Sequence, residues 1–282
     1  MDLWKIILII ILIIIIIIGI TNIYFKTDIL YDSILDCNLH NKEITDLKKE
    51  SSANMTFSMW YFINDFANTN QNLSFLTFYN TNTTIENESD INNIINTYFN
   101  DNYSATSITK NLGTTLDADT GENTPIHDGF PTIHVCLNNH RNDIHIYVRT
   151  SKDSNRVNIV SRFVLKNVPL QKWVNLTITV DNNVFDVYLD GKLHNSFILP
   201  DALYTVNHNM DDNKLYLNGN GDKNHNTFLT RIRYIDSAIT TTEAYDIYKD
   251  GISSKHSTSL FNKYNLKVSF LEYNQEKSSF LI

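Results

Sequence analysis

The longest apolar run of the chain lies at its amino terminus. Every residue from Ile6 to Ile18 is Ile or Leu, and apolar character continues to Phe25. A helix over Ile6–Phe25 would be about 30 Å long, the thickness of a hydrocarbon core. The thirteen Ile and Leu residues would contribute roughly −4 to −8 kcal/mol toward insertion. The pattern predicts a transmembrane helix.

The flanks of this run bear on its processing and orientation. No pattern of small residues typical of a signal-peptidase site follows it, so an uncleaved signal-anchor over residues 1–26 is favoured, with a cleaved signal as the alternative. Lys5 and the amino terminus on one side, against Lys26 on the other, favour an exterior or lumenal position for the rest of the chain. We therefore expect a single-pass membrane protein that contacts lipid through Ile6–Phe25.

Beyond the anchor, the apolar positions mostly repeat every second residue, which is typical of strands. Residues 27–54 form a stalk or a first edge strand. Further strands are predicted at residues 56–63, 73–79, 132–138, 143–149, 157–165, 174–180, 185–189, 192–199, 214–217, 228–234 and 266–271. The pattern therefore predicts an all-β domain over residues 55–252, followed by a tail at 253–282 that contains a strand.

Two hairpin registers follow from the alternation. A four-residue loop closed by Asn138 and Asp143 sets Leu137 against Ile144, Val135 against Ile146 and Ile133 against Val148. The Asn182-Asn183 turn sets Val180 against Phe185, Ile178 against Val187 and Leu176 against Leu189. In the first hairpin, a slip of one residue would break all three apolar pairs, so its register is well specified.

One helix is predicted near the end of the domain. Thr240 caps it, Glu243 completes a capping box and Gly251 ends it, with Ala244, Ile247 and Tyr248 as its apolar stripe. Residues 80–131 are rich in Asn, Thr, Asp and Gly and have little periodicity. We interpret them as an insertion with short elements of its own.

Composition narrows the range of partners. The net charge of −8, without a basic cluster, argues against nucleic acid. Two unrelated reduced thiols are favoured over a disulfide between Cys37 and Cys136, which remains the alternative. Six glycosylation sequons, at Asn54, Asn72, Asn82, Asn87, Asn102 and Asn175, match what the abundance of Asn, Ser and Thr produces by chance, so they do not indicate secretion.

Five segments, in order, resemble the laminin-G-like, concanavalin A-like lectin/glucanase superfamily. They are Phe57-Ser58-Met59-Trp60, Lys172-Trp173-Val174-Asn175-Leu176, Val187-Tyr188-Leu189-Asp190-Gly191-Lys192, Leu215-Tyr216-Leu217-Asn218-Gly219, and Ile232-Arg233-Tyr234-Ile235-Asp236 leading into the helix. The resemblance implies a two-sheet antiparallel jelly-roll sandwich with one short C-terminal helix. An anchored domain of this composition also resembles membrane proteins of large DNA viruses, which implies a virion membrane as one location.

The candidate chemical sites are weighed against plainer interpretations. Glycosidases of the superfamily carry a carboxylate pair on one strand; the acidic residues of Glu86–Asp90 lack that spacing and are interpreted as a solvated loop, so we expect no enzyme activity. The Asp117–Glu122 loop invites calcium but departs from an EF-hand, and no cofactor is assigned.

The residues Cys136, His145 and His134 share the polar face of a hairpin and would begin a zinc site, but no fourth ligand is evident and solvated histidines are favoured. Trp60 and Trp173 are interpreted as core residues rather than sugar-stacking platforms. No catalytic, metal or ligand-binding residue is therefore assigned. The leading hypothesis is noncatalytic recognition of glycan or protein through loops at one end of the sandwich. The alternative is a structural membrane or virion protein that packs against its neighbours.

Overall fold

Two antiparallel sheets form the body of the protein in a computed structural model, which describes residues 28–45, 47, 54–65, 72–80, 88–99, 107–111, 114–116, 123–125, 130–152, 157–204, 213–219, 226–252, 267–272 and 275–281. The helices are α1 (Glu88–Phe99) and α2 (Thr241–Lys249). The strands are β1 (Ile29–Tyr31), β2 (Leu35–Asp36), β3 (Lys42–Ile44), β4 (Met55–Ile63), β5 (Leu73–Asn80), β6 (Ser107–Asn111), β7 (Thr114–Leu116), β8 (Asn123–Pro125), β9 (Ile133–Leu137), β10 (Ile144–Lys152), β11 (Val157–Leu165), β12 (Trp173–Asp181), β13 (Val184–Leu189), β14 (Lys192–Ile198), β15 (Asn213–Leu217), β16 (Thr227–Ile235), β17 (Lys267–Glu272) and β18 (Gln275–Leu281).

The first sheet has the order β1-β16-β4-β12-β13-β14, with β2 also paired to β16, and the second has the order β3-β15-β5-β9-β10-β11-β6. One apolar cluster takes alternate residues from both sheets. Its aromatic rings meet across the interface: Phe57 and Phe78 have centroids 5.1 Å apart, and Phe163 and Phe185 4.9 Å apart. The prediction of a mainly β protein with two antiparallel sheets packed face to face is therefore confirmed.

Both predicted hairpin registers are confirmed. Leu137 pairs with Ile144 and Ile133 with Val148, and the Asn138 N–H donates to the Asp143 carbonyl at 2.9 Å. In the second hairpin, Val180 pairs with Phe185. The buried apolar face sets each register, because a shift by one residue would turn the whole apolar set toward the opposite side.

A second apolar cluster lies on the other face of the second sheet, and the sequence did not predict it. Helix α1 supplies Ile91, Ile94, Ile95 and Phe99, which pack on side chains of β5, β9, β10 and β11. The interpretation of Glu86–Asp90 as a solvated loop was therefore wrong for residues 88–90, since α1 begins at Glu88; residues 86 and 87 lie outside the described residues. The spacing of its four apolar residues, at i, i+3, i+4 and i+8, is the helical signal that the Asn-rich composition obscured.

Helix α2 matches the predicted helix and covers part of the outer face of the first sheet. Thr240 and Glu243 form the expected capping box. Tyr248 stacks on Trp60 with centroids 5.6 Å apart, and Trp60 is 7% exposed. Arg233 donates to the Asp250 carboxylate at the end of the helix at 2.5 Å. The packing of α2 thus explains why Trp60 is buried although it points away from the main core.

The two ends of the chain differ in what the structure describes. Residues 1–27, and with them the predicted anchor Ile6–Phe25, lie outside the described residues. Among the residues that are described, no helix has the length and apolar character needed to cross a bilayer. Strands β1 and β3 pair with β16 and β15, so residues 29–44 contribute to both sheets. At the carboxyl end, β17 and β18 form a two-stranded hairpin.

Candidate functional site

An open cleft of about 560 Å³ lies where the β9–β10 and β11–β12 loops meet, at one end of the sandwich. We call it the end cleft. Its lining residues are His140, Arg141, Asn142, Asp143, Lys166, Asn167 and Leu170. The volume is within the range of sites for small organic ligands. Six of these seven lining residues are polar or charged, and Leu170 is the apolar one.

Hydrogen bonds between the two loops hold the end cleft in shape. The Asn142 side chain donates to the Val168 carbonyl at 3.2 Å, and the Val168 N–H donates to the Asn142 carbonyl at 2.8 Å. The Asn167 N–H donates to Asp143 Oδ1 at 2.8 Å. Each loop thus supports the other, which preorganises the side chains that line the cleft.

Two residues of the β11–β12 loop have left-handed backbone conformations. Asn167 has φ of 54° and Gln171 has φ of 56°. Asn tolerates this region better than most residues do. The Gln171 N–H donates to the Ile63 carbonyl at 2.7 Å, which fixes the loop to the end of β4. The reversals bring Lys166 and Leu170 to the same cleft.

The charge of the end cleft is mainly positive, in contrast to the net charge of the protein. Arg141 and Lys166 are exposed, whereas Asp143 is buried and its carboxylate accepts the Asn167 N–H. Guanidinium and ammonium groups bind carboxylates, and amide side chains bind hydroxyl groups as donors or acceptors. The arrangement suits a small, hydroxyl-bearing anion.

A row of three aromatic side chains lies on the outer face of the first sheet at the same end. Phe62 pairs with Trp173 on one side and with Phe228 on the other. The centroid of Phe62 is 5.5 Å from that of Trp173 and 6.2 Å from that of Phe228. All three side chains are partly exposed. We call this set the aromatic row.

Polar groups border the aromatic row at Trp173. Lys172 Nζ lies 3.0 Å from Asp190 Oδ2, and this hydrogen bond, together with the charge of Asp190, raises the pKa of Lys172. The other oxygen of Asp190 accepts the Asn175 N–H at 3.0 Å. Trp173 was interpreted as a core residue from the sequence, but its side chain lies outside the main core and is partly exposed.

The residues considered for zinc are buried rather than solvated. His145 lies opposite Cys136, and His134 is 0% exposed beneath the second cluster. Burial lowers the pKa of His134 to about 3, and burial together with the positive charges of Arg162 and Arg141 lowers the pKa of His145 to about 3. The solvated interpretation is corrected because α1 covers this face. Within the described ranges, no three His, Cys, Asp or Glu side chains converge to hold a metal ion.

The remaining candidates from the sequence are the Asp117–Glu122 loop and the pair Cys37 and Cys136. The Asp117–Glu122 loop lies outside the described residues. Cys37 and Cys136 are buried thiols in different apolar clusters and do not form the disulfide that was held as an alternative. Burial, with a smaller effect from the charge of Asp36, raises the pKa of the Cys37 thiol. Both cysteines therefore contribute to packing.

The sequence interpretation missed the end cleft, although it predicted the loop Asn139–Asn142. The neighbourhood of Lys166 and Arg141 depends on the pairing of β10 with β11, which brings residue 165 opposite residue 144. A signal was present: two cations and several amides occur in loops on either side of strongly predicted strands. Only the pairing order places them in one cleft.

No family model matches the chain, and no curated protein matches it. Solved structures are similar at low identity. They include the receptor binding domain of botulinum neurotoxin D (14% identity, TM-score 0.44, 79% of this chain and 45% of that one). The corresponding domain of the C/D mosaic serotype has 14% identity and a TM-score of 0.45, over 79% and 43%. A serotype D ligand binding domain in complex with N-acetylneuraminic acid has 12% identity and a TM-score of 0.44, over 79% and 43%. This chain thus spans less than half the length of each of these domains.

Proposed function

We propose that this protein is a noncatalytic recognition module that binds an acidic glycan in the end cleft. The observation that carries the proposal is the convergence of Arg141, Lys166 and His140 with the amides Asn142 and Asn167 in one preorganised cleft. A sugar ring presents hydroxyl groups to amides, and a single carboxylate on the glycan would bind the cations.

The number of carboxylates among the described lining residues supports glycan binding rather than glycan hydrolysis. Glycosidases need two carboxylates, about 5–10 Å apart, on either side of the scissile bond. Among the described lining residues, Asp143 is the one carboxylate, and it is buried and accepts the Asn167 N–H. A bound glycan would therefore meet cations and amides but no acid and base pair.

The membrane context is part of the same proposal. The apolar run Ile6–Phe25 would anchor the protein, and the sandwich would present the end cleft at the exterior or lumenal side, including the surface of a virion. The resemblance of five segments to laminin-G-like domains is compatible with such a display. A short anchor on a rigid β-domain raises the local concentration of binding sites at a surface, which favours multivalent attachment.

The test is a glycan array probed with the full-length chain in mild detergent, followed by titration of a synthetic series of one to four pyranose units that end in one glucuronic acid. The matched neutral series ends in glucose. We expect the acidic series to bind and the neutral series to bind at least tenfold more weakly, because one charge-assisted pair contributes about 1.5–3 kcal/mol. Each titration is repeated with calcium and with a chelator.

Two variants assign the binding to the cleft. Arg141→Ala and Lys166→Ala should each lower the affinity for the acidic series about tenfold and leave the melting temperature unchanged. Lys214→Ala, in β15, is the control and should bind like the unsubstituted chain. Equal binding of both series by the unsubstituted chain would contradict the proposal. So would unchanged affinity for the acidic series in a variant that combines Arg141→Ala with Lys166→Ala. Loss of binding in chelator would show that a metal ion is required.

A structural, protein-packing role is the second candidate. The exposed apolar side chains Val184, Leu193 and Ile198 on β13 and β14 favour it, because such patches often mark protein contacts. Analytical ultracentrifugation of the chain and of Ile198→Asp distinguishes the two roles. Self-association that Ile198→Asp abolishes, together with an array without hits, would favour packing over glycan recognition.

A further inference from the structure

We propose that the aromatic row of Trp173, Phe62 and Phe228 is a second carbohydrate subsite, which binds neutral pyranose units of the same glycan whose acidic unit occupies the end cleft. The inference rests on the proposed function, which it deepens by defining the ligand as an acidic oligosaccharide several sugars long. The end cleft would supply charge recognition, and the aromatic row would supply apolar contact.

The first argument is the position of the row on its sheet. Phe62 alternates with Tyr61 and Ile63, which point into the main core, so Phe62 must face outward. Trp60 faces the same way two residues earlier, but Tyr248 of α2 covers it. The aromatic row is therefore the part of an aromatic sheet face that α2 leaves partly exposed.

The second argument is the match between the row and the shape of a sugar. A pyranose ring has apolar C–H faces and a polar rim of hydroxyl groups, so it binds best to an aromatic side chain that polar groups border. Such polar groups are close to Trp173 along the chain and the sheet: Lys172 precedes it, and Asp190, the ion-pair partner of Lys172, accepts the Asn175 N–H. The centroid spacings of 5.5 and 6.2 Å are close to the length of one sugar unit in a glycan chain, so successive units can meet successive rings.

The third argument is the continuity between the two surfaces. Leu170 lines the end cleft, and Trp173, three residues later, is the first residue of β12. Three residues span at most about 10 Å. The N–H of Gln171, between them, donates to the Ile63 carbonyl beside Phe62. A glycan of three or four units can therefore extend from the cleft onto the aromatic row.

The experiment measures affinity against glycan length. The full-length chain and its Trp173→Ala variant are titrated with the series of one to four pyranose units ending in glucuronic acid. We expect Trp173→Ala to bind the single acid with unchanged affinity and the three- and four-unit glycans about tenfold more weakly. Trp173→Phe keeps an aromatic face and should recover most of the affinity. His194→Ala, exposed on the edge strand β14 of the same sheet, is the control.

A second readout leaves Trp173 in place. In a Trp4→Phe background the remaining tryptophans are Trp60, which is buried, and Trp173, which is partly exposed, so acrylamide quenching reports mainly on Trp173. The four-unit glycan should protect Trp173 from acrylamide, whereas the single acid should not. This measurement decides the question even if Trp173→Ala fails to fold.

The outcomes separate the two proposals. If Arg141→Ala weakens binding but Trp173→Ala does not at any glycan length, and Trp173 stays open to acrylamide, the cleft proposal stands and the second subsite is wrong. If the unsubstituted chain binds no member of the series, both proposals are wrong. A length-dependent loss in Trp173→Ala together with glycan protection of Trp173 would support both.

Discussion

Asn175 is a buried polar residue of the first sheet whose side chain makes three hydrogen bonds. Its side-chain nitrogen donates to Ser58 Oγ at 3.1 Å and to the Met59 carbonyl at 3.3 Å, and its oxygen accepts the Thr177 hydroxyl at 3.0 Å. It is 0% exposed. Although Asn175 begins a glycosylation sequon, the folded chain offers no access to it. Its three hydrogen bonds explain why a polar residue lies beneath α2.

Replacing Asn175 should therefore destabilise the fold without a change in ligand affinity. We expect Asn175→Ala to lower the free energy of unfolding by about 2–3 kcal/mol, because buried partners lose their hydrogen bonds. Asn183→Ala, at an exposed turn position, should change it by less than about 0.5 kcal/mol. Urea denaturation measures both. Equal values for the two variants would show that the buried network contributes little.

The buried histidines make stability depend on pH. Burial lowers the pKa of His134 and His145 from 6.5 to about 3, so the unfolded chain binds these protons first as the pH falls. The contribution of the two histidines to the free energy of unfolding is therefore fully present above pH 6.5. It decreases between pH 6.5 and pH 3 by about 1.4 kcal/mol per pH unit for each histidine. Between pH 7.5 and pH 5 the two together should cost roughly 4 kcal/mol.

Urea denaturation at pH 7.5 and pH 5 tests this expectation. The His134→Gln, His145→Gln double variant should lose most of the difference between the two conditions, whereas His194→Gln, at an exposed position of β14, should retain it. The Thr77 hydroxyl, 2.9 Å from His134 Nδ1, can bond to the glutamine amide. An unchanged pH difference in the double variant would assign the acid sensitivity to other groups.

At the scale of elements, two glycines show how closely α2 packs on the β13–β14 turn. Both have left-handed backbones, Gly191 with φ of 72° and Gly251 with φ of 73°. A Cβ atom on Gly191 would lie 2.8 Å from the Tyr248 Cβ and 2.9 Å from the Tyr245 Cα, whereas one on Gly251 would meet nothing within 4 Å. Substitution of Gly251 by alanine therefore tests backbone strain alone, whereas substitution of Gly191 adds a steric clash with α2.

Gly251→Ala should cost about 1–2 kcal/mol of stability from the backbone conformation alone. Gly191→Ala should cost at least about 1 kcal/mol more, because α2 must move away from the turn. Thermal denaturation gives both values, and the near-ultraviolet circular dichroism of the Trp60–Tyr248 stack reports on the helix. Equal costs would mean that α2 shifts without penalty.

The second cluster shows how α1, from the segment that the sequence analysis interprets as an insertion, packs on the second sheet. Helix α1 packs through Ile91, Ile95 and Phe99, and Arg162 donates to the Phe99 carbonyl at the end of the helix at 2.8 Å. A cation at this position also satisfies a carbonyl that has no partner within the helix. The helix thereby turns the polar face of the β9–β10 hairpin into a second buried layer.

At the scale of the whole molecule, the amino-terminal run remains the main prediction from the sequence. We expect the full-length chain to stay in the membrane fraction after carbonate extraction, because about 20 apolar residues suffice to span a bilayer. A chain that begins at residue 27 should be released. Replacing Leu12 and Ile13 with Asp should also release it, at a cost of about 2.5–3.5 kcal/mol for each charge at the helix centre. Extraction of the unsubstituted chain would contradict the anchor.

The sequence alone predicted those structural elements that depend on local contacts or on a strictly periodic apolar pattern. Period-two alternation located most strands and both hairpin registers, since a buried face excludes every shifted pairing, and the capping box at Thr240 located α2. The end cleft, the second cluster and the aromatic row depend on which strands become neighbours. Lys166 and Arg141 line one cleft, and Trp173 and Phe228 flank Phe62, only because distant segments pair in one order. Many strand orders bury the same apolar faces, so the pattern of the chain leaves this choice to tertiary packing.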